Sequence, residues 1–283
     1  MNISRLALKV MANSPPIIDS GKFNVLGIRV NAINYRAVVE QIIAAAKSRQ
    51  PLALSALAVH GIMTGVLDAE QGYRLNQLDL VVPDGQPVRW ALNWLYQTQL
   101  PDRVYGPTLM LQVCEQAAQV GLPIYLYGSR MSVLEALEAN LKQRFPGLTI
   151  AGAQPSRFAQ ITEQAQAAIA QDIRASGAAI VFVGLGCPRQ EVWVYENSRL
   201  ISLPCLAVGA AFDFHAGRMS QAPSWMQRRG LEWLYRLLHE PGRLWKRYVF
   251  LNPAYLTLLG LQGLGIWQGR KTSVPPPPPL RYG

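Results

Sequence analysis

Residues 180–191 read Ile-Val-Phe-Val-Gly-Leu-Gly-Cys-Pro-Arg-Gln-Glu, and no other stretch constrains the fold as tightly. The first four are apolar and rich in β-branched and aromatic side chains, the pattern of a strand buried on both faces. Gly184 and Gly186 then end the strand, where glycine lets the backbone take positive φ or approach a neighbour closely. Pro188 suits the first turn of a helix, and Gln190 and Glu191 sit in that turn. A strand, a glycine turn and a helix start together offer free backbone N–H groups to a phosphate or a sugar. The run is not a dinucleotide fingerprint. The third glycine is missing, and no acidic residue follows a second strand at the required spacing. An ordinary strand-to-helix turn has the same local pattern.

The theme recurs along the chain. Strands are expected at 23–30 and 32–33 around Gly27, at 52–59, 80–82, 123–127, 148–153 and 205–208. Helices are expected at 35–49, 61–76, 86–96, 107–119, 132–144 and 160–176, and from the glycine turn to about 197. In the first of these, Val38, Val39, Ile42, Ile43 and Ala46 recur at helical spacing. Strands alternating with helices mean βαβ units: an α/β fold with a parallel sheet and helices on both faces. In such sheets ligands sit at the carboxyl ends of the strands. The glycine turns after Val82, Tyr127 and Val183 all point there, and Pro83-Asp84-Gly85 is a strong turn signal.

Charge divides the chain. From Arg218 onward there are 10 Lys/Arg and 2 Asp/Glu, a net of +8, whereas residues 1–217 carry a net of only +2. The basic part favours anionic partners: nucleic acid, anionic lipid or a diphosphate. Within it, residues 223–239 read as helix, and 243–250 interleave Arg243, Lys246 and Arg247 with Leu244, Trp245 and Tyr248, as on a helix at a membrane interface. A solvated basic face over a core helix would look similar. No run of 18 or more apolar residues is present. Three cysteines without C-x-x-C spacing fit a reduced, cytosolic protein. The expected organisation is a flexible leader at 1–20 without signal-peptide character, an α/β domain at 21–222, a basic helical appendage at 223–271, and a disordered Pro-rich tail at 272–283.

Several segments, in order, carry a resemblance. They are Asp79-Leu80-Val81-Val82-Pro83-Asp84-Gly85, Arg103-Val104-Tyr105-Gly106, Tyr127-Gly128-Ser129, residues 184–191, and Val208-Gly209-Ala210-Ala211-Phe212-Asp213. Arg218, Ala222 through Gln227, Gly230 through Leu237, Glu240-Pro241 and Asn252-Pro253 complete the series. Each piece is common, but together and at this spacing they are specific. From about Phe23 to Pro253 the chain resembles the WecG/TagA/CpsF family of bacterial glycosyltransferases, glycosyltransferase family 26.

The resemblance implies a Rossmann-like enzyme whose C-terminal appendage docks on the active site and the inner membrane face. The implied reaction moves a hexose, with inversion, from a UDP-sugar to a polyprenyl-diphosphate-linked sugar, without a cofactor and without a metal-binding D-x-D motif. Asp84 matches the family's base, since a carboxylate can take the acceptor's proton. A turn aspartate bonding its own backbone is the plainer reading of the tripeptide. Arg103 and Gln190 match further catalytic positions. Arg236, Arg243 and Arg247, with Lys246 an alternative to Arg247, match appendage cations that offset charge on leaving UDP. Gly128, Ser129, Gly184 and Gly186 are expected at the nucleotide. The family commonly carries Thr-x-Asn before the Pro-Asp-Gly segment; here those positions are Ala56 and Ala58, and Ser55 and His60 are the nearby substitutes. No nucleic-acid partner is implied, and a homo-oligomer is compatible with the chain. The competing classes are an oxidoreductase on the same fold, a non-enzymatic adaptor using the basic part, and an inactive family member.

Overall fold

The computed structural model describes residues 16–269 and 275–283, without the side chains of residues 243, 246 and 247. The first 15 residues of the expected leader and residues 270–274 lie outside the described residues. The leader as expected runs to residue 20, but Pro16 and Ile18 already hold Asn34 through their carbonyls, and β1 begins at Asp19.

Strands β1 (Asp19–Val25) and β2 (Ile28–Ile33) form an antiparallel hairpin. Its two turn residues, Leu26 at φ 56° and Gly27 at φ 91°, both lie in the left-handed region, as tight hairpin turns require. The hairpin covers an edge of the main sheet. Asn31 of β2 accepts a hydrogen bond from Val81 N–H of the edge strand at 2.9 Å, satisfying a donor that this strand would otherwise leave open.

The main sheet has six strands, all parallel: β3 (Leu52–Leu57), β4 (Leu80–Pro83), β5 (Ile124–Gly128), β6 (Ile150–Gln154), β7 (Ile180–Gly184) and β8 (Pro204–Ala207). Their order is β4-β3-β8-β7-β5-β6, a Rossmann-like α/β architecture. The strand sequences alternate between two apolar layers. Ala53, Leu57, Val81, Tyr127, Val183 and Ala207 face one, and Leu54, Val82, Leu126, Phe182 and Leu206 face the other.

The first layer is closed by α2 (Val59–Leu67), α3 (Ala69–Gln77), α4 (Gln86–Tyr96), α7 (Glu163–Ala175) and α8 (Arg189–Ile201). The second is closed by α1 (Tyr35–Lys47), α5 (Gly106–Val120), α6 (Met131–Arg144) and α9 (Ala211–His215). Residues expected as one helix at 61–76 form two. Asp68 breaks them, its carboxylate capping α3 by accepting from Glu70 and Gln71 N–H.

Three more helices follow: α10 (Ser224–Arg228), α11 (Glu232–His239) and α12 (Pro241–Gly263). The expected helix 223–239 is thus interrupted at Gly230, φ 70°. The far end of α12 is tied to the hairpin: Gln262 accepts from Leu26 N–H and donates to Asn24 O. Residues 275–283 depart from the expectation of a tail with no core to join, because Leu280 to Gly283 are hydrogen-bonded to α8 and to the segment after β6.

Candidate active site

The direction in which each connection leaves the sheet builds the crevice. After β3, β4 and β7 the chain turns to α2, α4 and α8 on one face. After β5 and β8 it turns to α6 and α9 on the other. Connections from neighbouring strands therefore part to opposite faces at β3/β8, β8/β7 and β7/β5, and ligands of open parallel sheets bind at such points on the carboxyl edge.

Asp84 follows β4 directly. Its N–H continues the sheet ladder to Leu57 O at 3.1 Å, and Gly85 is the N-cap of α4. Its Oδ1 accepts a 2.6 Å hydrogen bond from Gly106 N–H, at the start of α5. Position 106 is closely surrounded: a Cβ there would lie 3.0 Å from Val208 O, a tight contact, and 3.5 Å from Asp84 Oδ1. The residue keeps some accessible surface, but its carboxyl group lies below it. Burial pushes the carboxyl up to about 6, and the Glu232 anion pushes the same way. The Arg103 and Arg236 cations and the Gly106 N–H pull against them. A carboxylate poised there is suited to taking a proton near neutral pH.

Arg103 is buried beside it. Its Nη2 donates to Glu232 Oε2 at 2.6 Å and to Gln227 Oε1 at 3.3 Å, and its guanidinium lies 4.1 Å from the centre of the Tyr105 ring. Tyr105 O–H donates to the other Glu232 oxygen at 2.7 Å, and Tyr105 N–H donates to the Tyr35 hydroxyl of α1 at 2.7 Å. Both members of the Arg103–Glu232 pair are largely desolvated, so removing either one strands a charge. Glu232 belongs to α11, so the segment after residue 222 reaches the site through this residue. One turn on, Arg236 bears on the Asp84 carboxyl electrostatically, and its Nε is buried without a hydrogen-bond partner.

A second network underlies the β3, β7 and β8 ends. Ser55 Oγ and Gln190 Nε2 both donate to Glu191 Oε1, at 3.0 and 2.8 Å, and Gln190 Oε1 accepts from Gly209 N–H at 3.1 Å. Ser55, Gln190 and Glu191 are all buried, and burial pushes the Glu191 carboxyl up. Ser55 is therefore turned into the interior and does not stand in for the Thr-x-Asn groups. Gln190 anchors the Gly209 turn, with its amide already engaged. Ala56 and Gly106 approach each other closely, as do Ala58 and Gly85, and His60 stands in the first turn of α2.

Across the crevice, Gly128 at φ 109° packs against Gly184: a Cβ on it would meet the Gly184 carbonyl at 2.8 Å. Ser129 N–H donates to Gly184 O at 2.9 Å, pairing the two turns. Gly186, at φ 76°, has open space where a Cβ would be. The structure thus gathers Asp84, Arg103 and Arg236 into one group, and Gly128, Ser129, Gly184 and Gly186 into another. The backbone of residues 243 and 247 lies in α12, but the side chains of Arg243 and Arg247 fall outside the described residues. Sequence reasoning missed Glu232, Tyr105, Tyr35 and Glu191 as parts of these networks. The signal lay within the quoted segments, where Tyr105 and Glu232 stood unremarked beside Arg103 and Arg236. Among the described residues, no three His, Cys, Asp or Glu converge as a metal-holding group.

Fold and site together define a Rossmann-like α/β protein with a carboxylate and two arginines at the carboxyl edge of its sheet. The model of the glycosyl transferase WecG/TagA/CpsF family matches residues 23–268. With most of its length matched, the chain belongs to that family of glycosyltransferases.

Proposed function

We propose that this chain is an inverting, metal-independent hexosyltransferase using a UDP-sugar donor and a polyprenyl-diphosphate-linked saccharide acceptor. The observation that carries this reading is the Asp84 carboxylate, desolvated at the crevice and held by Gly106 N–H, with a carboxyl pKa near 6. In the proposed step the acceptor hydroxyl attacks the anomeric carbon and its proton passes to Asp84. A new C–O bond forms as the bond to the β-phosphate oxygen breaks, and UDP leaves with the electron pair. Arg103 and Arg236 supply positive charge beside the base. The glycine turns at 128 and 184 supply close backbone approach for the nucleotide, and α8 begins beside them.

The acceptor class is supported by the surface of the last helices. Leu238, Trp245, Val249, Phe250, Leu256, Leu264 and Ile266 are all exposed, within the segment that holds most of the net positive charge. Apolar side chains among basic ones suit an anionic membrane surface. No helix of the described residues is long and apolar enough to cross a membrane. The donor hexose, N-acetylmannosamine-type or glucose-type, would meet Ala56 and Ala58 where the family commonly has side chains that hydrogen-bond. That same loss favours an inactive, nucleotide-sugar-binding member as the second reading.

The test is a UDP-release assay with a panel of UDP-hexoses and a lipid-diphosphate-linked N-acetylglucosamine acceptor. Acceptor-dependent release that disappears in Asp84→Asn is expected. Release unaffected by Asp84→Asn removes Asp84 as the base. Silence across the panel with UDP still bound favours the second reading.

A further inference from the structure

The family match ends at residue 268, yet residues 278–283 are bound to the catalytic part by specific contacts. Pro278 O accepts from Arg74 Nη2 of α3 at 3.0 Å. Glu196 of α8 turns both carboxylate oxygens to this segment, taking Leu280 N–H at 2.7 Å and Arg281 N–H at 2.9 Å. A carboxylate gripping two successive backbone N–H groups is a charge-assisted, two-point clamp. Arg281 Nη2 pairs with Glu163 at 3.0 Å, and its carbonyl accepts from Ile161 N–H at 2.8 Å. Gly283 donates to Ala159 O and accepts from Ser156 Oγ, and Tyr282 bridges Gln160.

These contacts lead to the crevice in two ways. Ser156 N–H donates to Ser129 O at 3.1 Å, and Ser129 N–H donates to Gly184 O, so the segment is two hydrogen bonds from the paired glycine turns. The Tyr282 ring lies 5.7 Å from the guanidinium of Arg189, the first residue of α8, which directly follows the 184–188 turn. Arg189 is exposed, so without a neighbour its long side chain would sample many rotamers.

We propose that residues 278–283 are a strap that sets the donor side of the crevice, with Tyr282 a positioning residue that holds Arg189 toward a nucleoside diphosphate. The proposal rests on the reading that UDP binds at the 128 and 184 turns. Glu196 fixes the strap's backbone, the strap presents the Tyr282 ring, and the ring orients the Arg189 cation. The strap acts on donor affinity, and Asp84 and Arg103 are untouched by it.

The test is calorimetric titration of full-length protein with UDP, comparing the parent with Tyr282→Ala, Tyr282→Phe, Glu196→Gln, Arg189→Ala and the Tyr282→Ala/Arg189→Ala double variant. Tyr282→Ala and Glu196→Gln are expected to weaken UDP about threefold to fivefold, the scale of an exposed cation–π contact. Tyr282→Phe keeps the ring and stays near the parent. If Tyr282 acts through Arg189, the double variant is no weaker than Arg189→Ala alone. Unchanged UDP affinity in Tyr282→Ala and Glu196→Gln, or fully additive losses in the double variant, overturns the proposal. A parent that binds no UDP overturns the donor reading itself, and the strap's role falls with it.

Discussion

Replacing Asp84 by Asn is expected to remove transfer and, at the same time, to make the protein more stable. The folded state holds the Asp84 carboxyl up at about 6, against an ordinary value of 3.8. Between those values the folded chain binds the proton more tightly than the unfolded chain does, so stability falls as pH rises through that window. Above pH 6 the full cost of keeping a desolvated anion is present, about 3 kcal/mol at pH 7.5 from the two values. At pH 4.5 the folded carboxyl is protonated and the remaining cost is about 1 kcal/mol. Asn keeps an oxygen for Gly106 N–H and carries no charge, so the variant escapes most of this cost. Thermal unfolding of both proteins at the two pH values reads the effect. At about 2 °C per kcal/mol for a chain of this size, Asp84→Asn should melt about 6 °C higher at pH 7.5 and about 2 °C higher at pH 4.5. A variant that is destabilised, or that gains equally at both pH values, would refute desolvation as the cause of the raised carboxyl.

The same carboxyl should give the pH profile of kcat/KM an acidic limb near 6, and Glu232→Gln should move that limb to lower pH, because one anion raising the Asp84 pKa is gone. Glu232→Ala leaves Arg103 buried without its partner and should cost about 3–5 kcal/mol in urea unfolding. Gly184→Ala brings a Cβ to 2.6 Å from the Phe212 ring. That overpacking should cost about 1–3 kcal/mol and weaken UDP binding in the same protein, as a urea series and a titration would read. Leu238→Asp and Phe250→Asp, at 71% and 64% exposed positions, should each lower binding to anionic liposomes about tenfold while UDP affinity stays unchanged.

The fold was legible because its strands are apolar runs bounded by glycine and proline, and their alternation with amphipathic helices admits little but a parallel sheet. Strand order was not legible. β3 and β8 are neighbours although roughly 150 residues apart in the sequence, and nothing in their composition records the pairing. The helix breaks at Asp68 and Gly230 were hidden because apolar spacing continues on both sides. Asp84 and Arg103 emerged from the family resemblance, since an isolated Pro-Asp-Gly says only that the chain turns. Glu232 escaped notice because its partners lie more than 120 positions away, and a buried ion pair leaves no periodic trace. Ser55 illustrates the opposite error. Its position beside Ala56 suggested a substitute ligand, but alternation along β3 turns its hydroxyl inward to Glu191. Composition did not show the anchorage of the Pro-rich end, because most of its hydrogen bonds use backbone groups that any sequence carries.

The position of β8 also dictates when the crevice can exist during synthesis on the ribosome. It is the last strand made, yet it occupies the middle of the sheet. Before it inserts, the strands can form only a β4–β3 pair and a β7–β5–β6 trio, with no ladder between them. Asp84 belongs to the pair, while Gly128 and Gly184 belong to the trio. Both open edges are strands of almost wholly buried side chains, and such edges invite pairing with other chains until they are filled. The basic, apolar helices emerge only after this closure. A nascent chain thus joins Asp84 to the glycine turns only once β8 is made, and Glu232 and Arg236 reach the crevice later still; a chain cut short of Pro204 carries both halves of that crevice without the strand that unites them.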